Sequence, residues 1–150
     1  MKKHTQFPPI LLAKAIYLFL KGYVHFPKDQ NGSTLKEEEE FLIFRKVVVS
    51  HKGKSPANPR VNLKVFFRFK RFSFRINRIL SLIPIPFIIA QPGFRSKTWM
   101  TGKDTGTFHG LYEWDNIEDA KHYLDSLPLN MMKKRAIPET LNCEIIDTKD

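Results

Sequence analysis

The segment FRSKTWMTGKDTGTFHGLYEW, residues 94–114, decides the architecture. Phe94 to Thr101 and Thr107 to Trp114 are rich in aromatic and β-branched side chains, which fit a pleated, half-buried surface. Between them Gly102-Lys103-Asp104-Thr105-Gly106 has glycine at both ends, so positive φ comes without steric cost and the two runs read as a β-hairpin. Pro92-Gly93 makes the turn that leads into it.

Upstream, Val61, Leu63, Val65, Phe67 and Phe69 alternate with Asn62, Lys64, Phe66, Arg68 and Lys70, the period of a strand with one apolar face. Ser73 is placed to cap a helix through about Ile83, with Phe74, Ile76, Ile79, Leu80 and Ile83 spaced for burial. Pro84 and Pro86 are expected to stop it. Downstream, Asp115 and Glu118 match a D-x-x-E capping box, opening a helix whose Ile117, Ala120, Leu124 and Leu127 share a face. Pro128 is expected to break that helix. A shorter one from Leu129 ends in Lys133, Lys134 and Arg135, cations suited to the C-terminal end of a helix dipole. Thr140 to Asp147 alternates again. The order strand, helix, strand, strand, helix, strand over 61–147 is the split βαβ, or ferredoxin-like, arrangement of an α+β domain. Its antiparallel sheet carries both helices on one side, so its other face meets water or a partner.

Residues 1–60 read as an N-terminal extension to a domain at 61–150. Pro8 to Leu20 forms a short amphipathic helix, and residues 23–34, with Pro27 and Asn31-Gly32, form a linker. Ser33 or Thr34 is placed to cap a helical turn through Glu37–Glu40. Phe41 to Ser50 favours strand. Residues 51–60, with Gly53, Pro56 and Pro59, make a second linker that marks the domain boundary.

Composition narrows the function classes. With 150 residues, 42% of them hydrophobic, and thirteen Phe, the chain is too apolar for a disordered basic tail. A single cysteine, Cys143, excludes an intramolecular disulfide framework and suits a reducing cytoplasm. The five His are scattered without ligand spacing, so no metal site is expected. The net charge of +10 is uneven: residues 61–101 hold eight Lys/Arg and no Asp/Glu, whereas 102–150 hold six against ten. Lys64 to Arg78 interleaves basic and aromatic residues, but the strand period sets Phe67 and Phe69 opposite Arg68 and Lys70, which disfavours nucleic acid. Neither Pro8–Leu20 nor Ile79–Ala90 reaches the roughly 20 apolar residues needed to span a bilayer. Peripheral contact remains open, with Lys2, Lys3, Lys14 and Lys21 meeting anionic lipid while Leu11, Leu12, Ile16, Leu18 and Phe19 insert. Docking of that helix on the main domain is the alternative.

The run Pro92-Gly93-Phe94-Arg95-Ser96-Lys97-x-Trp99-Met100, the short hairpin, and Gly110-Leu111-Tyr112-Glu113-Trp114 before an acidic-capped helix resemble the dimeric α/β-barrel superfamily. The resemblance is to its YdhR-like mono-oxygenase branch, related to the antibiotic-biosynthesis mono-oxygenases, and covers roughly residues 61–147. It implies a homodimer whose sheets pack face to face, and a ligand pocket between sheet and helices. Candidate pocket residues are Arg68, Trp99, His109, Tyr112, Trp114 and His122.

Cofactor-free oxygenases of this fold use the substrate's own carbanion to reduce dioxygen. The protein then supplies a shaped apolar pocket, help with deprotonation and a donor for the developing anion. The candidates for chemistry are Arg68, Trp99, His109 and Tyr112. Those for holding a small apolar or anionic ligand are Arg68, Arg95, Lys97, Trp99 and Trp114, with no cofactor expected. Related haem-degrading enzymes use an Asn on the first strand, a Trp late in the third and a His on the next helix, elements occupied here by Asn62, Trp114 and His122. The expectation is thus a small-molecule-binding, cofactor-independent mono-oxygenase-like protein acting on an apolar or aromatic substrate. The alternative is a non-catalytic ligand-binding or interaction module at a membrane surface.

Overall fold

The computed structural model describes residues 6–50 and 61–147. The expected linker and boundary at 51–60, together with Lys2, Lys3, His4 and His51, lie outside the described residues. Seven strands form one antiparallel sheet: β1 (Val24–His25), β2 (Thr34–Lys36), β3 (Glu40–Val49), β4 (Val61–Phe67), β5 (Phe94–Gly102), β6 (Phe108–Trp114) and β7 (Asn142–Asp147). The helices are α1 (Pro8–Leu20), α2 (Phe74–Leu80), α3 (Ile85–Ile89), α4 (Ile117–Tyr123) and α5 (Leu127–Arg135). Strands β4 to β7 lie side by side as β7-β4-β6-β5, the order of a ferredoxin-like α+β fold. Strand β3 extends that sheet on the outer side of β5, pairing Val47 with Lys97 and Arg45 with Trp99, and β1 and β2 pair with opposite ends of β3. The strand expected at Phe41–Ser50 is therefore built into the same sheet.

Alternation along each strand sorts the side chains. Val61, Leu63, Val65 and Phe67 face the helices and share one buried cluster with Val47, Trp114, Ile88, Tyr123 and Leu129. Leu11, Ala15 and Leu18 of α1 are buried, so α1 docks on the domain and Leu11 and Leu18 are not available for insertion; Leu12, Ile16 and Phe19 face outward. The opposite sheet face is partly roofed by the chain itself. The turn after β2 brings Glu37 to Lys64 at 2.6 Å, and the Phe41 ring packs edge-on against His109.

Several local expectations are corrected. Thr34–Lys36 is a strand rather than a cap for a helical turn, and Glu37 and Glu39 serve as tethers to Lys64 and Thr105. Pro84 and Pro86 open α3 and Pro128 opens α5, because a ring without an N–H is tolerated where the first-turn amides have no helical partner. Asn116, not Asp115, caps α4, accepting from the Asp119 amide, while Asp115 pairs with Arg95. Strand β4 ends at Phe67, and Phe69 makes only an isolated bridge to Ala136. Ser73 caps α2 as expected, but Phe74, Ile76, Ile79 and Ile83 are exposed rather than buried. The buried residue of that helix is Asn77.

Because Val47 is fully buried in the shared core, Val47→Ala should destabilise by about 1–3 kcal/mol, comparable to Val65→Ala. Chemical denaturation followed by far-ultraviolet circular dichroism should show one cooperative transition for both variants.

Candidate functional site

A cavity of about 350 Å³ lies between the helix-facing side of the sheet and the helices. Its floor is Val65, Phe67, Lys97, Trp99, Phe108 and Tyr112; Tyr123 of α4 and Met132 of α5 close its sides. Leu80 at the end of α2, with Ser81, Ile83 and Pro84 after it, forms another wall, and Lys134 and Arg135 add cations. The floor follows from register. Lys97 is paired with Tyr112 and Trp99 with Gly110, so alternation turns Lys97, Trp99 and Tyr112 to the same side.

Gly110 makes room for the central group. A Cβ there would stand 3.0 Å from Tyr112 Cε1 and 3.1 Å from Lys97 Cε, tighter than ordinary contact. In that slot the Lys97 amine lies 4.5 Å from the Trp99 ring centroid and 4.6 Å from that of Tyr112. The two ring faces attract a cation, but no ion pair among the described residues includes Lys97. Burial, with the nearby Arg45 charge adding to it, lowers the amine to about 7 from 10.5. An amine in this state exchanges a proton near neutrality, unlike an exposed lysine.

The phenols work differently. Tyr123 donates to the Tyr112 hydroxyl across 3.1 Å, and burial raises both groups above the ordinary tyrosine range. They stay neutral and act as donors. Arg135 stacks on Phe69 with its guanidinium carbon 4.6 Å from the ring centroid, and donates to the Asn77 side-chain oxygen. Asn77 in turn donates to the carbonyls of Arg71 and Phe72, tying α2 to the end of α5.

Of the residues expected from sequence, Lys97, Trp99 and Tyr112 meet in this cavity. Arg68 does not line it: the chain leaves β4 at Phe67, and the Arg68 side chain is exposed while its backbone bonds to Thr140 and Ile137. Arg95 is held by Asp115, outside the lining. His109 reaches the cavity wall, but it alternates with the inward-facing Phe108 and Gly110. Its imidazole therefore stacks on Phe66 at 4.1 Å on the opposite sheet face, where burial lowers it to about 4. Trp114 is fully buried in the core among Phe94, Tyr112 and Tyr123. Asn62 alternates to the face opposite Trp114, and His122 on α4 does not line the cavity. Asn62, Trp114 and His122 are thus not brought together at the cavity.

Phe69, Tyr123, Met132 and Arg135 also line the cavity, although none is among the pocket residues expected from sequence. Tyr123 stands three positions after Ala120, on the buried side of α4, a spacing that was legible. Arg135 bore no local mark, since a cation at a helix end has an ordinary reason to be there.

No family model matches this chain, and no curated protein does. Solved structures match in fold. An uncharacterized ferredoxin-fold protein related to antibiotic biosynthesis monooxygenases, from Listeria monocytogenes, aligns with TM-score 0.56 and 15% identity over 77% of this chain and 68% of its own. The heme-degrading enzyme LmHde from the same organism aligns with TM-score 0.55 and 12% identity over 83% and 97%. An anthrone oxidase-like protein aligns with TM-score 0.50 and 11% identity over 75% of this chain and 57% of its own. At 11–15% identity the likeness is one of fold, and it singles out no branch.

Burial of Lys97 has a consequence for stability. Between about pH 7 and 10.5 the unfolded lysine binds a proton that the folded one has released, so its contribution to stability rises with pH across that interval. Lys97→Met should raise the thermal midpoint at neutral pH and lose this part of the slope. The difference between the two unfolding curves, measured by calorimetry across the interval, checks it.

Proposed function

We propose that the chain is a cofactor-independent mono-oxygenase-like enzyme acting on an apolar aromatic substrate whose reacting carbon carries two hydrogens in the keto form, one of them acidic as C–H or as the enolic O–H. The supporting observation is the buried Lys97 amine on the ring faces of Trp99 and Tyr112 inside an apolar cavity. Neutral Lys97 removes the acidic proton, and the resulting ammonium with the Tyr112 hydroxyl stabilises the anion. The electron-rich carbanion gives an electron to dioxygen, and recombination forms a carbon–oxygen bond as a hydroperoxide. Loss of the second hydrogen from that carbon, with cleavage of the O–O bond, leaves a carbonyl and releases water. Substrate supplies all four electrons, one oxygen atom stays and the other leaves as water. The basic groups Lys134 and Arg135 suit an anionic substituent on the same molecule. Homodimerisation through the part of the open sheet face not roofed by Phe41 belongs to this reading.

The test is oxygen uptake by the purified chain with anthrone or a quinol. The expected rate exceeds buffer, with kcat/KM rising through about pH 7 as Lys97 loses its proton. Lys97→Met should lower kcat by about a hundredfold or more, and Lys97→Arg should not restore it. Trp99→Ala should raise KM. Tight retention of such a compound without oxygen uptake would favour a non-catalytic ligand-binding module instead.

A further inference from the structure

Helix α2 is inside out. Asn77 faces inward at 2% exposure and is held by Arg135, while Ile76 (44%) and Ile79 (59%) face out and Phe74, its ring edge packed against Phe44 and Phe108, is still 42% exposed. The flanking Phe72, Leu82 and Ile83 are exposed at 64%, 48% and 57%. Phe72 has φ +72°, a conformation bulky residues rarely adopt, and it carries the ring outward. A contiguous segment with six exposed large apolar side chains has an unsatisfied demand for cover.

Its charge says what the cover is. Lys70, Arg71, Arg75 and Arg78 are all exposed on the same short segment, Arg68 adjoins it, and residues 61–101 contain no carboxylate. An isologous contact with a second copy would press these cations against their own equivalents, which is costly once apolar contact removes water. An anionic bilayer meets both halves of the pattern, because cations attract its surface while apolar side chains enter the headgroup boundary. Among the described residues no helix is long and apolar enough to cross a membrane, so such contact would be peripheral. We propose that residues 70–83 are a docking surface for an anionic lipid bilayer, with Phe72, Ile76 and Ile79 inserting and Arg71, Arg75 and Arg78 at the headgroups. This surface does not depend on the reaction proposed above, although Leu80 and Ile83 of the same segment also line the cavity.

Flotation of the full chain with vesicles of phosphatidylcholine alone, or mixed with phosphatidylglycerol, tests it. Binding is expected only to the mixed vesicles and should weaken as salt rises. Arg75→Gln should reduce partition about fivefold, and Ile79→Asp by about tenfold or more. Both positions are exposed, so thermal midpoints should stay near wild type. Three results would overturn the proposal. One is no binding to mixed vesicles. Another is binding that survives Ile79→Asp but is lost with Ile16→Asp on the outer face of α1. The third is a soluble dimer, or a complex with single-stranded oligonucleotide, that Ile79→Asp abolishes while vesicle binding is absent.

Discussion

A β-hairpin has a side-chain period of two, and the register between β5 and β6 decides which residues share a face. Lys97 stands opposite Tyr112 and Trp99 opposite Gly110, so these four residues share one patch of floor. A slip of one residue would send Lys97 and Trp99 to the far side of the sheet, beside His109 and Phe66, and leave Ser96 and Thr98 over the cavity. Gly102 and Gly106 in the connecting turn are thus connected to the chemistry although neither touches the cavity. The Gly102 amide donates to Thr107 and the Gly106 amide to Gly102, closing the turn that holds the register.

Burying an amine without a carboxylate opposes folding, since desolvation penalises the charged form. Two features limit the cost: the group sheds its proton near neutrality, and the aromatic faces on either side are the least unfavourable apolar neighbours for what charge remains. Packing of Val47, Leu63, Val65, Trp114 and Leu129 in one continuous core supplies the offsetting stability. The same core includes Phe44, Val47 and Val49 of β3 and Ala15 and Leu18 of α1, so the segment before residue 60 shares the packing that supports the site.

The strand order over 61–147 was legible because alternation and glycine-bounded turns are local properties. The grouping of Lys97 and Trp99 with Tyr112 rather than with His109 was not, because it rests on the register of β5 against β6. Nor was the orientation of α2. Phe74, Ile76 and Ile79 have a spacing that a buried helix would share, and only the partnership of Asn77 with Arg135, 58 positions away, turns the polar side inward. Prolines carried a similar ambiguity, since Pro84, Pro86 and Pro128 fit the end of one helix and the start of the next equally well. Arg68 was lost as a site residue for a different reason: the alternation ran on past Phe67, while the backbone left the sheet to bond with Thr140 and Ile137.

Strand β3 also alters what the sheet can do at its rim. Without it, β5 would offer a full ladder of free amides and carbonyls to any extended chain. With it, the rim is β3, whose two ends are occupied by β1 and β2 and whose middle is bent at the irregular step between Ile43 and Arg45. The short stretch left over is bent and has Arg45 drawn over its inner side to Ser81 and the Arg78 carbonyl, and so short and irregular a gap is a poor template for strand addition. The extension therefore protects this side of the protein against fibrillar growth, a form of solubility that net charge alone does not provide.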